Sequence, residues 1–440
     1  ILKNVQNFKV MKLFGYEGLK RLEYRGYDSA GICVDSPEGF KIVKSTGKLK
    51  NLLAIVPKRP FGHNGIGHTR WATHGGVTEA NAHPHTDCSG KIAIVHNGII
   101  ENFEKLREML KDKGHSLKSE TDTEVIAHLI EQCYKGDLTK AVLETVSLVK
   151  GTYGLVVMHK DHPDMLVGAR NGSPLIMGVG DGEMFLASDA SAIISYTKQV
   201  IYLQDGEVVT ITPESFQTVD LDENAIDKDI DIIEWKDESF EKGEYQHYML
   251  KEIYEQSQSI VRGMKGRLDK IHATGHLGGL NMTTEELLRI ERVVIIAAGT
   301  SYHAGLVSAI LLESLAGIPA RAEIASEIRY RNPIIEKNTL YFAISQSGET
   351  MDTLYAMREL QRKGAKVLGI CNVVGSTIAR ESDGGVYIHS GPEIAVASTK
   401  AFTSQMTAMY IFTLIMARLR NMSFEAGADF IDDLKLFQTR

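Results

Sequence analysis

LYFAISQSGET, residues 340–350, is an apolar run that breaks into a loop of hydroxyls and glycine. Read as a strand followed by a helix start, it gathers the side chains of Ser345, Gln346, Ser347 and Thr350 and backbone N–H groups at the positive end of a helix dipole. That is a cradle for phosphate. Gly299-Thr300-Ser301 stands at the corresponding end of RVVIIAA (292–298), and Val396-Ala397-Ser398-Thr399 precedes another predicted helix. A lone Ser or Thr in such a place is usually an ordinary N-cap. Three such loops together point to one small phosphorylated ligand. Neither a Walker A motif nor GxGxxG occurs, which favours a sugar phosphate over a nucleotide. With KVLGICNV at 366–373, the alternation of strands and helices predicts an α/β domain whose parallel sheet is flanked by helices.

Before about residue 212 the pattern differs. AGICVD, FKIVKS, KIAIVHNG, YGLVVMHK, MLVGAR, EMFLAS, QVIYLQ and EVVTIT read as strands separated by turn residues. Two helices interrupt them, the first opening on a Thr121–Glu124 capping box ahead of Val125, Ile126, Leu129 and Ile130. An α+β domain is expected here. Between the halves, residues 220–244 carry 11 acidic groups against 3 lysines, a solvated connector within a 440-residue chain of net charge −7. The remainder is nearly balanced, so no basic field for nucleic acid exists. Thr, Ser and Gln interrupt the uncharged stretch Ala401–Ala417, which suits a buried helix better than a bilayer span. The opening residues show no signal-peptide core, and Cys33, Cys88, Cys133 and Cys371 form no disulfide pattern. A cytoplasmic protein without a membrane segment is expected.

Six histidines crowd residues 63–96: His63, His68, His74, His83, His85 and His96. Their spacing matches no HExxH or Cys/His zinc pattern, so neither metal nor cofactor is assigned, and hydrogen-bonded histidines near a β core are the leading reading. Cys88, close to His85, reads as structural. In the same stretch Arg70 offers a guanidinium for a carboxylate, while the Asn97 amide and the Gly98 N–H offer an oxyanion site.

SQSGET, GTSYHAG, EIASEIRYR and VASTKAFTSQ resemble the first sugar isomerase (SIS) domain of the glutamine:fructose-6-phosphate aminotransferase family. By that resemblance Gly299, Thr300, Ser301, Ser345, Gln346, Ser347, Thr350, Val396, Ala397 and Ser398 bind the sugar phosphate. Ala298 stands where bacterial members often carry cysteine. RLEYRGYDSAG, the segment around Arg70, HPHTD, HNG and SETDTEV resemble the same family's glutaminase domain, an Ntn-hydrolase-like αββα sandwich. The likeness makes Arg70 the grip on the glutamine α-carboxylate and Asp122 that on the α-ammonium. Thr73 and His74 line the pocket, Trp71 gates an ammonia channel, Asn97 and Gly98 form the oxyanion hole, and Arg25 lies near the nucleophile. The implied division is a glutaminase-like domain at 1–215, a connector at 216–245 and a first SIS domain at 246–440. The implied substrates are L-glutamine and fructose 6-phosphate, with a homodimer formed through the SIS domain.

The family opens on a nucleophilic cysteine, where residue 1 here is isoleucine, and continues into a second SIS domain beyond the last residue of this sequence. A partial, catalytically silent chain is therefore expected, making glucosamine 6-phosphate only in its intact form. Two other readings stand beside it: a non-catalytic hexose-phosphate-binding protein, and a metal-dependent hydrolase built on the histidines.

Overall fold

A computed structural model describes residues 17–23, 26–56, 64–72, 74–233 and 241–436. It divides into two units, Ile1–Asp237 and Glu238–Arg440.

The first unit is organised by the strand Ile92–Ile100. Its alternating side chains serve two cores, as the period-2 geometry of a strand requires. Ile92, Ile94 and Ile100 join the helices Phe103–Asp112, Thr123–Cys133 and Leu138–Leu148, while Ala93 and Val95 face the opposite way. This strand belongs to a six-stranded antiparallel sheet with spatial order Phe216–Val219, Glu207–Ile211, His162–Asn171, Gly151–His159, Ile92–Ile100 and His85–Thr86. Two smaller sheets cover its other face. One has three strands, Lys41–Thr46, Ser29–Val34 and Gly65–Arg70; the other has four, Asp231–Ile232, Gln199–Tyr202, Ile176–Val179 and Met184–Ala187. Leu49 and Leu52, from the helix Leu49–Ile55, pack with Ala30 on the far side of the three-stranded sheet. The helix–sheet–sheet–helix layering is the αββα sandwich expected from the sequence.

Three local expectations change. Phe103–Asp112 is a helix as well, because Phe103, Leu106 and Leu110 fall on one face. The capping box is only half made: Thr121 Oγ1 accepts from Glu124 N–H at 3.3 Å, but the Glu124 carboxylate turns to the N–H groups of Lys118 and Ser119. Part of the segment 216–245 is also ordered sheet, since Phe216–Val219 and Asp231–Ile232 find antiparallel partners.

The second unit carries a five-stranded parallel sheet, ordered Ala320–Ile324, Arg292–Ala297, Thr339–Ser345, Lys366–Cys371 and Gly385–Tyr387. Both faces are covered, so the central strands read as unbroken apolar runs. Val293, Ile295, Leu340, Phe342 and Ile344 enter one core; Val294, Ile296, Tyr341 and Ala343 enter the other. The helix Lys400–Arg420 spans the Ala401–Ala417 stretch and is buried against the first of these cores. No helix among the described residues is long and apolar enough to cross a membrane.

Phe342 is fully buried, its ring edge-on to Phe412 at 4.8 Å. Phe342→Ala should destabilise the second unit by about 3–5 kcal/mol, read as a lower urea midpoint. Ile271→Ala, at a position 81% exposed, should move that midpoint by no more than about 0.5 kcal/mol equivalent.

Candidate functional site

A cavity of about 290 Å3 opens where the strands of the first unit's layers end, and Arg70, Trp71, Asn97, Gly98 and Asp122 all line it. Arg70 is the last residue of its strand and is buried. Burial lowers its pKa from the ordinary arginine value, and the carboxylates of Asp28 and Asp122 oppose that shift. Its guanidinium donates to the carbonyls of His74 and Gly76, at 3.2 Å for the latter. Asn81 holds that loop in turn, donating to Gly76 O at 2.9 Å and to the Glu120 carboxylate at 3.0 Å. The cation is thus built into the wall rather than solvated.

Asp122 stands at the start of the helix Thr123–Cys133, and its carboxylate accepts from Ile100 N–H at 2.8 Å. It holds two chain segments together and adds negative charge to a cavity whose other fixed charge, among the described residues that line it, is Arg70. One cation and one anion on the same wall suit a zwitterionic amino acid.

Asn97 lies on the inter-sheet face of its strand. His68 Nε2 meets Asn97 Oδ1 at 2.8 Å. With His68 as donor, the amide oxygen is occupied and the amide NH2 is left for the cavity. His68 is stacked on His83 at 4.1 Å and burial pushes its pKa down to about 4, so the ring is neutral; its proton sits on Nε2 because Asn97 Oδ1 can only accept. His83 is held well below the ordinary histidine value for the same reason, and its Nδ1 accepts from His96 N–H at 3.4 Å. His85 is pushed down to about 3 by burial and meets Thr121 Oγ1 at 3.2 Å. His96, also lowered by burial, bridges Thr123 Oγ1 at 3.0 Å and Thr152 O at 3.1 Å. His68, His83 and His96 line the cavity as a neutral wall, and His85 stands behind them.

Gly98 has φ +134°, and a Cβ there would lie 2.0 Å from Thr152 O. Only glycine lets the strand continue at this point. His74 contributes a backbone carbonyl to Arg70 and packs its ring against Phe103 at 5.2 Å, but it does not line the cavity. Trp71 is half exposed, edge-on to Tyr27 at 5.3 Å. Arg25 and Thr73 lie outside the described residues. His68 was not singled out by the sequence reading. Its signal is its position two residues before Arg70 on the same strand face.

In the second unit the strand order gives a topological switch point between Arg292–Ala297 and Thr339–Ser345, whose helices leave on opposite faces of the sheet. Gly299, Thr300 and Ser301 follow the first of these strands; Ser345, Gln346, Ser347 and Thr350 end or follow the second. Ser345 Oγ accepts from Gly348 N–H at 3.0 Å and meets Thr350 Oγ1 at 2.9 Å, while Ser347 Oγ accepts from Glu349 N–H at 3.1 Å. The Glu349 carboxylate turns to Thr377, accepting from its N–H at 2.7 Å. Gly348, at φ +67°, lies so close that a Cβ would fall 1.9 Å from Ser376 Oγ. Gln405, on the helix Lys400–Arg420, donates to Ser301 Oγ at 3.0 Å and ties the switch point to the helix that follows Val396, Ala397 and Ser398. Ser398 Oγ donates to Glu393 at 2.8 Å, whereas Val396 and Ala397 are exposed.

Sequence comparison adds to this geometry. Residues 68–195 match the glutamine amidotransferase domain and residues 286–415 the SIS domain. The glutamine–fructose-6-phosphate aminotransferase (isomerizing) of Thermus thermophilus is 51% identical over 405 residues, 92% of this chain and 66% of that protein. The enzyme of that name from Caldanaerobacter subterraneus is 47% identical over 421 residues, 95% of this chain and 69% of that protein. Among solved structures, the C-terminal domain of glucosamine-fructose-6-phosphate aminotransferase from Francisella tularensis is 39% identical, covers 45% of this chain and 55% of that one, and has a TM-score of 0.42. Fold, cavity and matched domains define a glutamine amidotransferase unit joined to a SIS unit. The chain belongs to the glutamine–fructose-6-phosphate aminotransferase (isomerizing) family, spanning about two thirds of the length of the curated relatives it matches.

The buried neutral histidine has a pH consequence. His68 titrates near 4 when folded against an ordinary 6.5, so on acidification the unfolded chain takes up its proton first. Its stabilising contribution is complete above about pH 6.5 and is lost as pH falls toward 4, on the order of 2 kcal/mol by pH 5. His68→Gln keeps a donor for Asn97 and should reduce the loss of stability between pH 7 and 5, measured by urea unfolding at both values.

Proposed function

We propose that this chain supplies the glutamine-binding and first sugar-phosphate-binding parts of an enzyme that aminates and isomerises fructose 6-phosphate to glucosamine 6-phosphate, with L-glutamine as nitrogen donor. The observation that carries the reading is the cavity wall on which Arg70, Asp122 and the His68-braced Asn97 stand together. In it the Arg70 guanidinium receives the α-carboxylate and Asp122 the α-ammonium, which fixes the side-chain amide beside Asn97 and Gly98. Charge that develops on the amide oxygen as it is attacked is stabilised by the Asn97 amide and the Gly98 N–H. Trp71 stands at its exposed rim and the His74 carbonyl holds the Arg70 guanidinium in place; the roles that the family resemblance gives Thr73 and Arg25 belong to the same proposal.

The sugar phosphate is received at the switch point. Ser347 accepts from Glu349 N–H and still carries a proton to donate, and Ser345, Gln346 and Thr350 complete the loop, with Gly299, Thr300 and Ser301 on the adjacent strand end and Val396, Ala397 and Ser398 along the sugar. The division into a glutaminase-like part at 1–215 and a SIS part at 246–440, with 216–245 between them in sequence, belongs to the same proposal. So do a cytoplasmic location, for which four free thiols speak, and a dimer through the SIS part. Leu306 and Ile310, exposed one turn apart on the helix Gly299–Ala316, support that dimer.

Isothermal calorimetry tests both sites separately. Ser347→Ala should weaken hexose 6-phosphate binding roughly 10- to 150-fold, the worth of one hydrogen bond to a charged group. It should leave glutamine binding intact. Asp122→Asn should do the reverse, weakening glutamine and sparing the sugar phosphate. Unchanged glutamine affinity in Asp122→Asn would remove the assignment of the first cavity.

A further inference from the structure

Away from the cavity, at the outer edge of the helix layer, four ligand-type side chains meet. Cys88 comes from the loop after the short strand His85–Thr86, and His115 from the loop after the helix Phe103–Asp112. His128 and Glu131 stand three residues apart on the helix Thr123–Cys133. Cys88 Sγ lies 3.6 Å from His115 Nδ1 and 3.4 Å from His128 Nδ1. Glu131 Oε2 lies 3.1 Å and 3.6 Å from the same two nitrogens, and all four atoms fall within 4.8 Å of one another.

We propose that Cys88, His115, His128 and Glu131 form a zinc site that staples the loop 113–122 to the helix behind it. Ordinary zinc–sulfur, zinc–nitrogen and zinc–oxygen bonds arranged tetrahedrally put neighbouring ligand atoms about 3.3–3.6 Å apart, close to the four distances above. The donor set of one thiolate, two imidazoles and one carboxylate suits zinc, and four protein ligands close the coordination sphere, as in structural rather than catalytic sites. Hydrogen bonds alone serve the cluster poorly. Cys88 Sγ faces both imidazole nitrogens with at most one proton to share between them, whereas a central cation satisfies all four atoms at once. On binding, the Cys88 thiol proton leaves to solvent.

The surroundings are those of a supported site. Ser116 N–H donates to Cys88 Sγ at 3.4 Å, and Cys88 N–H donates to Glu131 Oε2 at 3.1 Å. The far nitrogen of His128, Nε2, is buried without a hydrogen-bond partner and lies 3.7 Å from Glu124 Oε1, the carboxylate–histidine pairing that orients a metal-bound imidazole. Glu124 also receives the N–H groups of Lys118 at 2.8 Å and Ser119 at 2.6 Å, and Ser119 Oγ meets Thr121 Oγ1 at 2.9 Å. A zinc ion here would therefore anchor the loop that delivers Thr121 and Asp122 to the cavity. Cys88 is exposed, which leaves an entry path for the ion.

The test uses the full chain, produced with zinc in the medium, freed of loose metal by gel filtration and assayed by elemental analysis. About one zinc per chain is expected, as for any single four-ligand site. After exchange, cobalt(II) should give a thiolate-to-metal charge-transfer band with intense tetrahedral visible bands. Cys88→Ser should abolish the charge-transfer band, Cys133→Ser should leave it unchanged, and Glu124→Gln should weaken zinc affinity about 10- to 100-fold. A wild-type chain that emerges free of zinc, or whose cobalt form shows no thiolate band, overturns the proposal. Retention of another metal in place of zinc overturns the assignment of the ion. The wild-type measurements decide the matter even where a variant fails to fold.

Discussion

The strand Ile92–Ile100 is buried on both faces from Ile92 to His96, and its side chains have no choice of direction once the first isoleucine is committed to the helix layer. Even positions go to the helices and odd positions go between the sheets. Asn97 is odd, so its amide must emerge between the sheets, where Gly98 lets the chain pass Thr152 without a side chain. His96 is even and is buried toward Thr123. A one-residue slip of register would bury the amide among the helices and turn the imidazole toward the facing sheets. The position of the Asn97 amide and the Gly98 N–H is therefore a product of core packing, and the cavity wall inherits the rigidity of the sandwich.

Both halves place their polar groups by the same physical means on different scaffolds. Apolar strands buried on two sides fix a frame, and the residues just past their ends, freed from the ladder, supply the functional groups. In the parallel unit the switch point opens a crevice between two neighbouring strands; in the sandwich the space arises between the strand ends of facing layers. Such ends carry little stabilising burial of their own. The loops are consequently held by specific hydrogen bonds, Asn81 to the carbonyl of Gly76 and Glu393 to the N–H groups of Thr399 and Ala401 among them.

The parts of the fold readable from sequence are those whose signal is local. LYFAISQSGET announces a buried strand, a turn and a helix start within eleven residues, and each is where it was expected. Arg70 and Asn97 could be named from the strand residues beside them, whereas Asp122 was named through the family resemblance. The edge strands Ala320–Ile324 and Gly385–Tyr387 escaped notice because they are short and gain their pairing only from a neighbour. The His68–Asn97 pair spans 29 residues and two sheets. Its existence depends on how layers stack, which no spacing rule contains. The same holds for Cys88, His115, His128 and Glu131, where only the His128–Glu131 interval obeys a helical period. Cys88 was weighed against His85, its neighbour in sequence, yet its neighbours in space are two other histidines.

The hydroxyls of Ser345 and Ser347 already receive the N–H groups of Gly348 and Glu349, so the loop at the switch point is internally bonded before any anion arrives. Its conformational entropy is surrendered during folding rather than at encounter. A ligand meeting such a loop exchanges partners within a standing network. On the proposed reading, selectivity would come from how well the incoming group matches a geometry already set by those bonds.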